Sequence, residues 1–101
     1  MASRLDLQTK LETILGSRNV YFQPPESIKI RYPAIVYYLA NIAIDAADDT
    51  SYNQYNQYVM QYISDDPDNT VVSQLLQLPY CRFERRFVAD NLYHDNLRIY
   101  F

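Results

Sequence analysis

Apolar positions recur at helical spacing near the start of the chain. Leu7, Leu11, Ile14 and Leu15 form one stripe among polar residues. Ser3 precedes the stripe as a helix N-cap, with Asp6 as a weak capping-box partner. Gly16 follows it, where a helix stop favours a left-handed residue. The spacing predicts a helix over about 3–16. Asn19–Gln23 is a short β-prone run halted by Pro24 and Pro25. A proline pair cannot sit inside a sheet ladder, so this is a short edge strand or an extended arm. Ile28–Tyr32 leads through Pro33 into Ala34–Ala40, which is apolar on both parities. Such a strand is expected to be covered on both faces. Asp45–Thr50 reads as a polar turn.

Tyr52–Ile63 carries two patterns. Tyr52, Tyr55, Tyr58 and Tyr62 fit a helical period. As a strand, the run places Tyr58, Met60 and Tyr62 on one face and Val59, Gln61 and Ile63 on the other. The strand is favoured, because aromatic and β-branched residues prefer pleated surfaces and the run ends at Ser64–Pro67 without a helical C-cap. Asp65–Thr70 then looks like the start of a helix, with acidic residues facing its positive dipole end. Val71, Val72, Leu75, Leu76 and Leu78 supply its stripe and Pro79 stops it, predicting a helix over about 68–78. Two strands close the chain. In Cys81–Ala89, Cys81, Phe83 and Phe87 share a parity, with Arg82, Glu84 and Arg86 opposite. In Leu97–Phe101, Leu97, Ile99 and Phe101 share one. Asp90–Asp95 is the turn or the frayed start of the last strand. The predicted fold class is α+β: a mainly antiparallel sheet of about four to five strands, with two helices packed on one face.

Composition narrows the function classes. The chain has 101 residues, a formal charge of −3, one Cys, one His and 11 Tyr. Its length fits a single domain, 1–101, that buries roughly 65% of its unfolded surface. One Cys excludes an internal disulfide framework and a multi-Cys zinc site. Cys81 is expected to be a small buried hydrophobe. The charged start lacks the apolar run of a signal peptide, and Ala34–Ala40 is far short of a membrane span. A soluble protein of a reducing cytoplasm is therefore expected.

Little of the usual chemistry is encoded. His94–Asp95 is the one His–carboxylate neighbour pair. Adjacent strand residues point to opposite faces, so a turn-stabilising or surface role is expected. Asp65, Asp66 and Asp68 lack the glycine and distal Glu of a calcium loop. A phosphate-cradling loop needs more than the lone Gly16. No catalytic, metal or cofactor residue is assigned, and the chain is not expected to be an enzyme.

The basic cluster Arg82, Arg85 and Arg86, interleaved with Phe83 and Phe87, could contact nucleic acid. A solvated or intersubunit strand face is favoured, with Glu84 pairing across strands, because one short patch in an acidic chain makes a poor electrostatic funnel. The tyrosines exceed what one small core can hold, and tyrosine is enriched at protein interfaces. The expected subunit interface is Tyr55, Tyr58, Tyr62, Arg82, Glu84 and Arg86.

Asn19-Val-Tyr-Phe-Gln-Pro-Pro25, Ile30-Arg-Tyr-Pro-Ala-Ile-Val-Tyr37, Tyr58-Val-Met-Gln-Tyr-Ile-Ser-Asp-Asp-Pro-Asp68, Cys81-Arg-Phe-Glu-Arg-Arg-Phe87 and Asp90-Asn-Leu-Tyr-His-Asp95 together resemble small neck proteins of long-tailed bacteriophages. The likeness is greatest to the tail-terminator, or tail-completion, family, and it covers residues 19–101. The resemblance lies in texture and segment order. It implies a structural protein at the head–tail junction of a virion, made in the host cytoplasm. Such a protein forms a ring, commonly a hexamer, that caps the tail tube and meets the head connector. Its partners would be its own copies, the major tail tube protein and the connector or stopper, with DNA only in transit and no membrane. Acidic groups at Asp45, Asp48 and Asp49, and at Asp65, Asp66 and Asp68, are then candidates for loops lining the lumen. Another neck component, such as a head-completion stopper, is the alternative within the class. A small nucleic-acid-binding module is the alternative outside it.

Overall fold

A computed structural model describes residues 4–47 and 51–101, with side chains described at 4–42 and 56–101. Helix α1 (Arg4–Leu15) is followed by strands β1 (Val20–Phe22), β2 (Ala34–Ala47) and β3 (Ser51–Ser64). The short helix α2 (Val71–Leu75) and strands β4 (Cys81–Ala89) and β5 (Leu92–Tyr100) complete it. The strands form one five-stranded sheet in the order β1-β2-β3-β5-β4. β1 runs parallel to β2, and every other pairing is antiparallel. The fold is α+β, and Tyr52–Ile63 is strand.

α1 forms where the leucine stripe demanded it. Leu7 and Leu11 are fully buried, and Ile14 and Leu15 pack beside them. Gly16 ends the helix at φ +78°, with its N–H donating to Glu12 O at 2.9 Å. A β-carbon is disfavoured at that angle, which is the reason for glycine there. Ser3, expected as the N-cap, lies outside the described residues. Leu7 and Leu11 share one buried cluster with Val20, Ile35, Tyr37, Tyr58, Met60, Tyr62, Leu97 and Ile99 of the sheet and Leu75 of α2. Tyr37 carries its hydroxyl into this core, where Arg4 Nη1 donates to it at 3.2 Å and it donates to Gln8 Oε1 at 2.5 Å. Gln8 Nε2 in turn donates to Val20 O at 3.1 Å. Helix and sheet are thus tied by polar bonds inside an apolar contact. Burial pushes the Tyr37 hydroxyl pKa upward.

Four sequence expectations are corrected. β2 is not covered on both faces: Ile35 and Tyr37 are buried under the helices, whereas Tyr38 on the opposite parity is exposed. Asp45 belongs to no turn: it lies in β2, opposite Asn53. α2 is one short stretch, not a helix over 68–78. Asn69 Oδ1 accepts from Val72 N–H at 3.3 Å, and after Leu75 the chain tightens, with Leu78 N–H donating to Leu75 O at 3.0 Å. The aspartates before it build a turn, in which Asp66 Oδ1 accepts from Asp68 N–H at 2.9 Å. Finally, β4 does not alternate cleanly. A bulge between Phe83 and Arg85 sets two residues against one and reverses the parity beyond it. Arg86 therefore joins the parity of Phe83, and Phe87 joins that of Arg82.

The β4–β5 turn is Asp90–Asn91, at φ +53° and +62°. Positive φ at both central residues marks the mirror-image turn that matches strand twist, and Asp and Asn tolerate it best after Gly.

Candidate interaction surface

The two helices leave part of the sheet open. The register places Tyr38, Val59, Arg98 and Arg82 in one row across the uncovered face, and Val36, Gln61, Asn96 and Arg85 in the next. The middle of this face satisfies itself. Gln61 Nε2 donates to Asn96 Oδ1 at 2.9 Å, Gln57 Nε2 donates to the Tyr100 hydroxyl at 3.3 Å, and Arg98 pairs with Glu84. Phe87 stacks on His94 with centroids 4.8 Å apart, and Arg85 lies over the Phe87 ring at 5.0 Å.

β4 differs from every other long strand in the sheet. It has a hydrogen-bonded neighbour along one edge only, and most of its residues are exposed. Beyond Cys81, which packs against the core cluster, even the parity that should face the core is open. Phe83 is 42% exposed and Val88 64%. Tyr80, just before the strand, is 81% exposed. Arg82 sits directly opposite Arg98, whose charge is taken by Glu84. Neither Arg82 nor Arg85 has a carboxylate partner among the described residues.

The residues expected at the interface divide. Arg82 and Glu84 are exposed on β4 as expected. Arg86 is committed to the fold: its Nε and Nη2 donate to Asp95 Oδ1 and Oδ2 at 2.6 and 3.2 Å, and its Nη1 donates to Pro67 O at 2.9 Å. The bond to Asp95 and its charge raise the guanidinium pKa, and the three bonds together lock β4, β5 and the α2 approach. Tyr58 and Tyr62 are corrected outright, because both are buried in the core. Their parity points at the helices, and Tyr58 meets Tyr37 edge-on with centroids 5.9 Å apart. The side chain of Tyr55 is not among those described, and Asp48 and Asp49 lie outside the described residues.

His94 and Asp95 separate as alternation requires; of the expected turn-stabilising or surface role, His94 takes the first, at the β4–β5 turn, and Asp95 takes neither. Asp95 is fully buried. His94 is half-buried, with Nε2 placed 3.2 Å from Ala89 O at the hairpin turn, and its buried Nδ1 has no partner among the described residues. Opposite faces cannot make a catalytic dyad. Burial pushes the Cys81 thiol up to about 11, which suppresses its nucleophilic form at neutral pH. No group of metal-binding side chains occurs among the described residues, and none of their helices is long and apolar enough to cross a membrane.

Sequence reading missed Tyr80 and Val88, and named Phe83 only as a ring interleaved with the arginines; nothing local revealed that its parity would lie open. The proline before Tyr80 was the available signal. No protein-family model matches the chain, and no curated protein matches it.

Proposed function

We propose that this chain is a structural subunit of the head–tail neck of a long-tailed bacteriophage, of the tail-terminator kind. The observation that carries the reading is β4, a nine-residue strand with a neighbour along one edge only among the described residues and most of its side chains exposed, Phe83 and Val88 included. An edge of this length and apolar content is a liability unless something pairs with it. The resemblance of residues 19–101 to neck proteins supplies the setting. In it, one heterologous contact repeats until a ring closes. One face of the ring would fit the last tube ring and stop further addition. The other would fit the connector, with DNA passing through.

Particles assembled without the protein test the role. Overlong tails unattached to heads support a terminator. Filled heads that leak beside tails of normal length point to the stopper instead. Native mass spectrometry of the purified chain, alone and with tail tubes, tests self-assembly. The unmatched Arg82 and Arg85 beside exposed aromatic rings favour the nucleic-acid reading as the second choice. Tight DNA binding that weakens steeply with salt, with no assembly on tubes, would replace the neck proposal with that one.

A further inference from the structure

The far half of the β2–β3 hairpin stands clear of the rest of the sheet. β1 pairs with β2 only as far as Tyr37, and β5 pairs with β3 only as far as Gln57. At the edge of the body, Phe101 N–H donates to Asn56 O at 2.9 Å. Beyond it, the pairs from Ala43–Tyr55 to Ala47–Ser51 form a ribbon with no third strand beside it among the described residues. Five residues of strand span about 16 Å, which agrees with a molecule 51 Å long and only 28 Å across. A bulge between Leu39 and Asn41 marks the root of the ribbon. Tyr38 and Ile42 beside it are 47% and 48% exposed. A two-stranded hairpin alone in water is marginal, so this one needs a partner along its flank.

Charge selects that partner. The paired residues of the ribbon, 43–47 and 51–55, carry Asp45 opposite Asn53 and no Lys or Arg. β4 presents Arg82 and Arg85, neither with a carboxylate partner among the described residues. Two β4 edges placed side by side would set arginine against arginine, which disfavours a symmetric dimer. An acidic ribbon removes that repulsion and supplies the missing strand edge. We infer that the β2–β3 ribbon of one copy adds along the open β4 edge of the next, as an extra strand. The contact uses different surfaces on its two sides, so it propagates head to tail and can close a ring. The inference rests on the self-assembly reading above, and it gives Asp45 an intersubunit role instead of a place in the lumen.

Two lesions and their mixture test it by native mass spectrometry and sedimentation. The first variant joins Ile42 to Asn56 through Asn-Gly, removing residues 43–55. The buried core of the described side chains is built from residues on α1, β1, α2, β5 and the near halves of β2 and β3, so the body is expected to keep its cooperative melt. The second is the full-length double variant Arg82→Glu and Arg85→Glu, which alters two exposed side chains and carries the test if the shortened chain does not fold. Each alone should be a folded monomer at concentrations where the unaltered chain is a closed oligomer. Mixed, the two should form a one-to-one heterodimer and nothing larger, because one retains the edge and the other the ribbon. The heterodimer should weaken in about 1 M salt, where screening falls to about 3 Å. An unchanged oligomer from the shortened chain overturns the inference and leaves ring assembly standing. Failure of the unaltered chain to assemble at any concentration, with or without tail tubes, overturns both.

Discussion

β4 and β5 are the two halves of one hairpin, nine residues each, yet their surroundings are opposite. β5 lies between β3 and β4, and every second residue from Asp95 to Ile99 is buried. β4 lies outside it, and the same alternation protects almost nothing. Phe83 stands directly across the ladder from Leu97. One is 42% exposed and the other is sealed. Sequence pattern chooses the face a side chain points to, whereas a covering element decides whether that face is dry. Apolar residues on β5 therefore stabilise the chain itself, and those on β4 are available to another molecule.

The sharpest way to break this comparison uses the tyrosines. Tyr62→Ser should cost about 3–5 kcal/mol in urea unfolding, as expected for emptying an aromatic core site. Tyr80→Ser should change stability by less than about 0.5 kcal/mol, the range of an ordinary surface substitution. Equal costs would mean that exposure does not separate the two. Next come the facing residues. Leu97→Ala should lose about 2–5 kcal/mol, while Phe83→Ala should lose less than about 1 kcal/mol in the free chain and lower the oligomer fraction. A Phe83→Ala chain that unfolds as readily as Leu97→Ala would place β4 within the core.

The two ion pairs extend the contrast at smaller scale. Asp95→Asn should cost about 2–3 kcal/mol, because it leaves the Arg86 fork facing a buried neutral group. Glu84→Gln should cost less than about 1 kcal/mol, since both members of that pair are about one-third exposed. Parallel thermal melts of the two variants measure the difference. The smallest effect is alkaline. Cys81, Tyr37 and Tyr62 all have raised folded-state pKa values, caused first by burial. Their protonated forms persist in the folded chain after the unfolded chain has ionised. Their contribution to stability is thus complete below the ordinary thiol pKa of about 8.5. For Cys81 it is lost as pH rises toward about 11. Urea midpoints should fall over that interval, and less so in Cys81→Ala. A thiol reagent at pH 8 should label the folded chain much more slowly than the unfolded one.

The order of elements was legible in the residues. The leucine stripe and Gly16 bounded α1, Pro24 and Pro25 confined β1 to a short edge, and aromatic and β-branched residues made Tyr52–Ile63 a strand. These are local properties: each depends on neighbours within a few positions, where backbone preference and apolar periodicity act. The interaction surface was legible only in part. Arg82 stood out as a charge in a β-prone run. The excess of tyrosine pointed to assembly, but it singled out Tyr58 and Tyr62, which the core consumes.

Three decisions belonged to the tertiary structure. The bulge beside Glu84 sent Arg86 to Asp95 and reversed Phe87, because a two-against-one pairing exists only once a partner strand is in register. The reach of α1 and α2 left most of β4 beyond Cys81 uncovered, because helix placement follows the whole buried stripe and not any one strand. The ends of β1 and β5 left the β2–β3 ribbon alone, because a strand cannot encode how far its neighbours extend. Parity and propensity are written in the chain, but pairing and cover come from distant segments that meet only on folding.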